Sequence, residues 1–283
     1  MDAAARSHKA AASMRHNLRF PALLFAGFLL AARSPGARCA EAKQDPEAVA
    51  LARKTLQAMG GEEAFAKLRT LRFDFAVIRG GVELARFRHV WDRYDGRYRV
   101  EGKTKDGKDL LILFNVNDKA KGGRVWVGGE EASGAELEKY REFGYDRFIN
   151  DTYWLLMPAK MLDPGVNLAY EGEVTDEGKR YRVVRLTFDN VGLTPGDSYW
   201  AYISPETGLM ERWDFVLQDQ KKKEDRTTFL WGKWEEIAGV RLSLSKQTPD
   251  AATIIAFDHV SGSASADDSV FQPPGAPSPI PSS

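Results

Sequence analysis

The sequence predicts a mainly antiparallel β fold of the α+β class, in which helices cover the concave face of a strongly curved sheet. Three observations support this prediction. Apolar and polar residues alternate with a period of two over most of the chain beyond residue 70, which is typical of strands. Short turns containing glycine join these segments and favour antiparallel hairpins. One helical pattern interrupts the strands, and a sheet of about twelve strands curls rather than lying flat.

The first predicted element of the domain is a helix. Asp45 is a typical N-cap, Pro46 suits the first helical position, and Glu47 suits the first turn. An apolar face follows at helical spacing, and Gly60-Gly61 ends the helix. A short second turn of helix precedes the first strand.

Five strands follow in a meander with short connections. Strict alternation defines the first two strands, and short apolar runs define the later ones. Asp95-Gly96 and Asp106-Gly107 are typical hairpin turns. The clearest apolar segments of this meander are 71–77, 85–91, 110–114 and 124–127.

The middle of the chain is organised around the run NDTYWLLMPAKMLDPGV at residues 150–166, the most apolar segment past residue 40. A helical pattern at 135–148 leads into it. Pro158 is expected to kink or end the first helical piece, and Asp163-Pro164-Gly165 stops the second. The pattern indicates a short, apolar, broken helix on the sheet. It is either a core plug or a lid over an apolar cavity.

Strands resume after Gly165 and continue to residue 260. Tight turns pair them as hairpins. The predicted strands cover 167–174, 181–188, 198–204, 209–217, 227–236, 240–248 and 252–260. The segment 262–283 is rich in Ser, Pro and Gly and is predicted to be a disordered tail. The chain is therefore divided into a leader at 1–42, one β domain with a helical lid at 43–261, and this tail.

Residues 1–42 have the pattern of a secretory signal peptide. A basic n-region precedes an apolar h-region at 20–32, and Ala40-Glu41-Ala42 is an A-x-A cleavage site. Translation starts at Met1 or at Met14. The h-region is shorter than the roughly 20 apolar residues that span a bilayer, and an uncleaved anchor is the alternative. No other apolar segment is long enough to span, so the mature body is predicted to be periplasmic or secreted.

Charge and cysteine content narrow the range of functions. The 283-residue chain has 40 basic and 40 acidic residues, and removal of the leader leaves 34 basic and 38 acidic residues, a net charge of −4. A mildly acidic body argues against a nucleic-acid partner, because phosphate neutralisation needs a basic face. Cys39 is the single cysteine. An intrachain disulfide and a CxxC zinc site are therefore excluded.

Large aromatic residues lie on the apolar sides of the predicted strands and of the central helix. On the concave face of a curved sheet, such residues line a ligand cavity if the space between them is incompletely filled. In the alternative, they form a dense core between sheet and helix and bind no ligand. The candidate ligand-binding residues are Trp91, Trp154, Leu155, Met157, Trp213, Phe215 and Trp231.

Sequence motifs for catalysis, cofactor binding and metal binding are absent. Gly196-Asp197-Ser198 resembles the GDS block of lipolytic serine hydrolases, but it lies in mid-chain, and Asp258 and His259 are adjacent rather than separated. No catalytic residue, cofactor or metal ligand is therefore predicted. A hydrolase that uses Ser198 and His259 is the third hypothesis.

Two blocks, NDTYWLLMPAKMLDPGV at 150–166 and LTFDNVGLTPGDSYWAYISPETGLMERWDF at 186–215, resemble a bacterial domain family of unknown function. The order of signal peptide, helix ending at Met59-Gly60-Gly61, strands and helical interruption is similar to the periplasmic LolA/LolB-like lipoprotein carrier superfamily. The resemblance covers residues 45–260. It implies an open antiparallel half-barrel in which helices form a lid over an apolar cavity for acyl chains.

These patterns favour a non-enzymatic envelope protein that binds a lipid or another apolar ligand under a helical lid, with a lipid, an acyl chain or a lipoprotein as partner. The alternative is a structural or interaction protein with a filled aromatic core and no ligand. Fold alone does not decide between them.

Overall fold

The computed structural model describes residues 44–118, 122–189, 191, 194–220 and 225–274. The predicted leader, its cleavage site and Cys39 lie outside the described residues, as does the end of the predicted tail from 275. The helices within the described part are α1 Pro46–Ala58, α2 Gly61–Lys67 and α3 Gly134–Leu156, and two short 3-10 helices cover Met157–Lys160 and Asp268–Phe271.

The strands form one open sheet with antiparallel pairing between neighbours, as predicted. Its order is β6-β5-β4-β3-β2-β1-β13-β12-β11-β10-β9-β8-β7, so β6 and β7 are the two edges. The described strands are β1 Thr70–Arg79, β2 Val82–Asp92, β3 Arg97–Lys103, β4 Asp109–Asn115, β5 Gly123–Val127, β6 Glu130–Glu131, β7 Val166–Asp176, β8 Lys179–Phe188, β9 Ser198–Ile203, β10 Met210–Val216, β11 Thr227–Ile237, β12 Val240–Gln247 and β13 Thr253–Ser263.

The first and last strands of the chain pair with each other at the middle of this sheet. Phe75 of β1 lies opposite Phe257 of β13, and the pairing runs from Thr70 to Arg79 with one register shift. This pairing joins the meander β1–β6 to the meander β7–β13. The two strand runs that α3 separates in sequence therefore share one continuous sheet.

The predicted N-cap of α1 is confirmed. The Asp45 carboxylate accepts hydrogen bonds from the backbone N–H groups of Glu47 at 2.8 Å and Ala48 at 3.3 Å. The helix ends where Gly60 adopts a φ of 119°, and a Cβ at this position would lie 2.4 Å from the Gly239 carbonyl oxygen. Gly60 is therefore required both by the backbone conformation and by the close approach of the β11–β12 turn.

The helical pattern that runs from residue 135 into the apolar segment is observed as one helix, which ends just before Pro158. It begins at Gly134 and continues without a break through Leu156, so the start of the apolar run belongs to α3. Pro158 lies in the first turn of the following 3-10 helix, where its missing N–H does not interrupt a hydrogen bond. The predicted break is therefore only a change of helix type at Met157.

The first part of the predicted disordered tail contains regular secondary structure. Gly262 and Ser263 complete β13, and the 3-10 helix Asp268–Phe271 packs against β3. Arg97 pairs with Asp268 at 2.6 Å and lies 4.7 Å from the Phe271 ring centroid. These contacts hold a segment that Ser and Pro content alone assigned to disorder.

The apolar side chains of the alternating strands point toward α3, on the face of the sheet that we call the inner face. Trp213 and Phe215 of β10 lie there, whereas Asp214 between them hydrogen-bonds Tyr202 on the outer face at 2.8 Å. Trp154 of α3 is buried against the inner face. The prediction that helices cover one face of an open sheet is confirmed.

Candidate functional site

Four side chains of β10 and β11 form an aromatic surface on the inner face, which we call the aromatic wall: Trp213, Phe215, Phe229 and Trp231. Trp154 near the end of α3 packs on it. The Trp154 ring centroid lies 4.7 Å from that of Trp213 and 4.9 Å from that of Phe229, and both pairs are edge-to-face. Such ring pairs stabilise by about 0.5–1.5 kcal/mol beyond the area they bury.

The structure brings four of the seven candidate residues into one chain of ring contacts. Trp213 lies 5.1 Å from Phe215 and 5.9 Å from Trp231, in addition to its contact with Trp154. Leu155 and Met157 are fully buried in the same apolar core.

Trp91 belongs to a different part of the inner face. It lies on β2, and its ring centroid is 5.3 Å from that of Phe148 on α3. Three strands, β1, β13 and β12, separate β2 from β11, which corresponds to roughly 19 Å across the sheet. The seven candidates therefore form a main group beneath the C-terminal end of α3 and one outlying tryptophan.

The aromatic wall contains polar hydrogens without acceptors. The Nε1 atoms of Trp213 and Trp231 are buried, and neither has a hydrogen-bond partner within the described chain. A buried N–H group without an acceptor is uncommon and reduces stability, because it has lost its bond to water. These two indoles are therefore hydrogen-bond donors without acceptors, and they lie beside an otherwise apolar contact.

Lys246 on β12 is a site residue that the sequence reasoning missed. It is fully buried, and its Nζ lies 4.5 Å from the Trp231 ring centroid and 4.2 Å from that of Phe257. Its Nζ donates to the Ser243 carbonyl. Burial lowers the pKa of Lys246 well below its usual value.

A signal for Lys246 was present in the strand alternation. Leu242 and Leu244 lie on the inner face, and Lys246 follows them at the same two-residue period. A lysine that continues an apolar series at the end of a strand usually reaches water. Only the tertiary structure shows that β11 and β13 enclose it.

A buried polar network ties α3 to the first half of the sheet. His89 Nε2 of β2 lies 3.0 Å from Asp151 Oδ2 of α3, and the Tyr98 hydroxyl lies 3.0 Å from His89 Nδ1. Arg147 also pairs with Asp151. Burial lowers the pKa of His89, which favours the neutral ring, against the opposing effect of Asp151.

A cleft of about 370 Å³ lies between α3 and β4, away from the aromatic wall. Its lining mixes charged and aromatic side chains and includes none of the seven candidates. The lining residues are Phe114, Asn115, Gly122, Arg141, Glu142, Tyr145 and Asp146.

The hydrolase hypothesis is not supported by the positions of its residues. Ser198 lies on β9 and His259 on β13, four strand spacings or roughly 19 Å apart. His259 is exposed, and its Nδ1 lies 3.1 Å from Asp74 Oδ2. Within the described ranges, no group of three or more His, Cys, Asp or Glu side chains could hold a metal ion. None of the helices in these ranges combines the length and the apolar character needed to cross a bilayer.

Comparison with known proteins gives matches among solved structures alone. No protein-family description and no curated protein matches the chain. A LolA superfamily protein from Nitrosomonas europaea is 10% identical, with 80% of this chain and 97% of that chain covered and a TM-score of 0.47. A DUF1329 family protein from Desulfovibrio piger is 14% identical, with the same coverage and a TM-score of 0.45.

A third structure is described as a putative outer membrane lipoprotein-sorting protein domain from Vibrio parahaemolyticus. It is 8% identical, with 78% of this chain and 97% of that chain covered and a TM-score of 0.38. The function proposed below rests on the chain's own residues.

Proposed function

We propose that this chain is a non-enzymatic protein of the bacterial envelope that binds a lipid acyl chain or another apolar ligand between α3 and the aromatic wall. The main observation that supports the proposal is that Trp154 covers the aromatic wall. This indole contacts aromatic rings from two strands, and two further indoles beneath it have N–H groups without acceptors. A ligand would replace the Trp154 side chain on the wall, and the polar headgroup of a lipid would supply an acceptor.

Replacing the Trp154 side chain on the wall with a ligand is favourable only if the acyl chain of the ligand is long enough. Removing a large buried aromatic side chain from its contacts costs about 3–5 kcal/mol. An acyl chain contributes roughly 0.8 kcal/mol for each buried CH₂ group, or about 10 kcal/mol for a chain of about twelve. A long acyl chain therefore offsets the loss of the Trp154 contacts, whereas a short one does not.

The N-terminal leader supports an envelope location. A signal peptide delivers the body outside the cytoplasm, where a carrier for apolar molecules has lipid or lipoprotein partners. The fold is an open sheet with a helix on its inner face, so α3 can separate from the sheet without breaking strand pairing. Enclosed barrels lack this freedom.

The second candidate function is a structural or interaction role with a permanently filled core. The close ring packing favours it, since Trp154 and Trp213 are each almost completely buried by protein atoms alone. In this case the unpartnered indoles are a small loss of stability and no ligand exists.

Binding of a fluorescent fatty acid to the parent protein separates the two candidates. The ligand hypothesis predicts saturable binding, altered at least about fivefold in Trp154→Ala with the fold largely retained. Trp126→Ala is the matched control, because Trp126 lies on the outer face of β5 beside Arg124. We expect the control to bind the probe like the parent.

The filled-core hypothesis predicts no probe signal from the parent. Trp154→Ala should lower the free energy of unfolding by about 3–5 kcal/mol under either hypothesis, so binding by the parent is the deciding measurement. A well-folded parent protein that binds no apolar probe would end the ligand proposal.

A further inference from the structure

Lys246 is a buried lysine in the middle of an apolar face. Its side chain is fully buried between the rings of Trp231 and Phe257. Within the described chain, no carboxylate lies within ion-pair distance of its Nζ. The two rings stabilise an ammonium only in part, and a buried charge without a counter-ion is costly.

The surroundings of Lys246 are rich in donors and poor in acceptors. The ammonium has three N–H bonds, and the Ser243 carbonyl accepts one of them. The Trp231 ring centroid lies 4.5 Å from Nζ, and the single N–H group of this indole is also buried without an acceptor. Two donor groups that lack an anion therefore belong to the same contact between Lys246 and Trp231.

We infer that, within the ligand site proposed above and dependent on it, Lys246 and the Trp231 indole bind the carboxylate of a long-chain fatty acid. A carboxylate has one negative charge and two acceptor oxygens, which matches one cation and one neutral donor. A phosphate headgroup has more charge and more acceptor oxygens than these two groups can satisfy.

The path of the acyl chain follows from the ring contacts. Trp231 adjoins Trp213, which adjoins Trp154. A chain whose carboxylate is at Lys246 therefore runs along the aromatic wall toward the end of α3. Its headgroup is buried and its tail lies beneath the helix, so the ligand enters with the charged end first.

The test compares ligands that differ only in the headgroup. Dodecanoate, dodecanol and methyl dodecanoate are titrated against the delipidated protein, with tryptophan fluorescence as the readout. We expect dodecanoate to bind at least about tenfold more tightly than either neutral analogue, because a charge-assisted hydrogen bond is the stronger kind. Equal binding of all three ligands by the parent would overturn the inference and leave the apolar site standing.

Substitutions test whether Lys246 causes the preference for dodecanoate over the neutral analogues. We expect Lys246→Met to reduce the headgroup preference to within about twofold, mainly through loss of dodecanoate affinity. Lys179→Met is the control, since Lys179 is exposed at the start of β8. A headgroup preference that persists in Lys246→Met would exclude Lys246 as the binding group.

The remaining outcome concerns the site itself. If neither dodecanoate nor the neutral analogues bind to the parent, the proposed function and this inference both fail. The headgroup comparison needs the parent protein alone, so it stands even if Lys246→Met does not fold.

Discussion

At the residue scale, Asp151 connects the C-terminal half of α3 to the sheet through polar contacts. Its carboxylate pairs with Arg147 and with His89, and it accepts a hydrogen bond from Asn150 Nδ2 at 2.7 Å. Asp151 and His89 are both fully buried. A buried ion pair adds little stability over an apolar pair, but the loss of one partner leaves the other charge uncompensated.

We expect Asp151→Ala to lower the free energy of unfolding by about 3–5 kcal/mol, because Arg147 would remain without its counter-ion in a largely buried place. Urea denaturation monitored by circular dichroism measures the change. Glu138→Ala is the control on the same helix, and its exposed pair with Arg141 should contribute less than about 1 kcal/mol. A loss at Asp151 no greater than at Glu138 would show that the network is not structural.

At the element scale, α3 has two halves with different surroundings. The side chains of its first half are largely exposed, whereas Phe148 and the residues from Ile149 to Leu156 are buried. Gly144 lies between the halves, where a Cβ would stand 2.9 Å from Ile112 Cγ2 of β4. The absence of a side chain at Gly144 therefore allows the helix to approach the sheet closely.

The contact between Gly144 and Ile112 allows a direct test of whether α3 must move away from the sheet when a ligand enters. Gly144→Cys with Ile112→Cys places two Cβ atoms within the range that a disulfide spans. The sole native cysteine, Cys39, lies in the predicted leader, so protein prepared without residues 1–42 contains the engineered pair alone. If the ligand enters beneath α3, the oxidised protein should lose at least about tenfold in the rate of fatty-acid uptake, and reduction should restore it.

The controls for the tether are the reduced double variant and Gly144→Cys alone. Both should take up the probe at similar rates, because neither is cross-linked. Unchanged uptake by the fully oxidised protein would mean that the ligand enters by a route that leaves α3 in place.

At the scale of the whole molecule, the pairing of β1 with β13 joins the two meanders, β1–β6 and β7–β13, into one sheet. Ala256 on β13 pairs with Ala76 on β1 and with Ser245 on β12. Strand β13 therefore has a neighbour on both sides at this point. The ladder here connects residues about 180 positions apart in sequence, so its closure depends on most of the chain.

We expect Ala256→Pro to destabilise both meanders together by about 3 kcal/mol or more, because proline removes a backbone donor from a central ladder. Hydrogen-exchange mass spectrometry would report faster exchange in peptides from β3–β4 and from β9–β10 alike. Ala256→Ser is the conservative control and should stay within about 1 kcal/mol of the parent. Faster exchange in one meander alone would indicate two independent folding units.

The sequence by itself determined the class of fold and most of its elements. Period-two alternation and hairpin turns such as Asp95-Gly96 are local signals, and they specify strands and antiparallel neighbours without knowledge of the rest of the chain. The N-cap at Asp45 is equally local. For the same reason, the inward placement of Trp213 and Phe215 was predictable from their strand.

Only the tertiary structure decided which distant elements meet. The pairing of β1 with β13, the enclosure of Lys246 by β11 and β13, and the contact of Asp151 with His89 each join residues far apart in sequence. The separation of Trp91 from the other candidates is also a matter of strand order. Alternation assigns a side chain to a face of the sheet, but strand order assigns its neighbours, and strand order depends on long-range packing that local patterns do not contain.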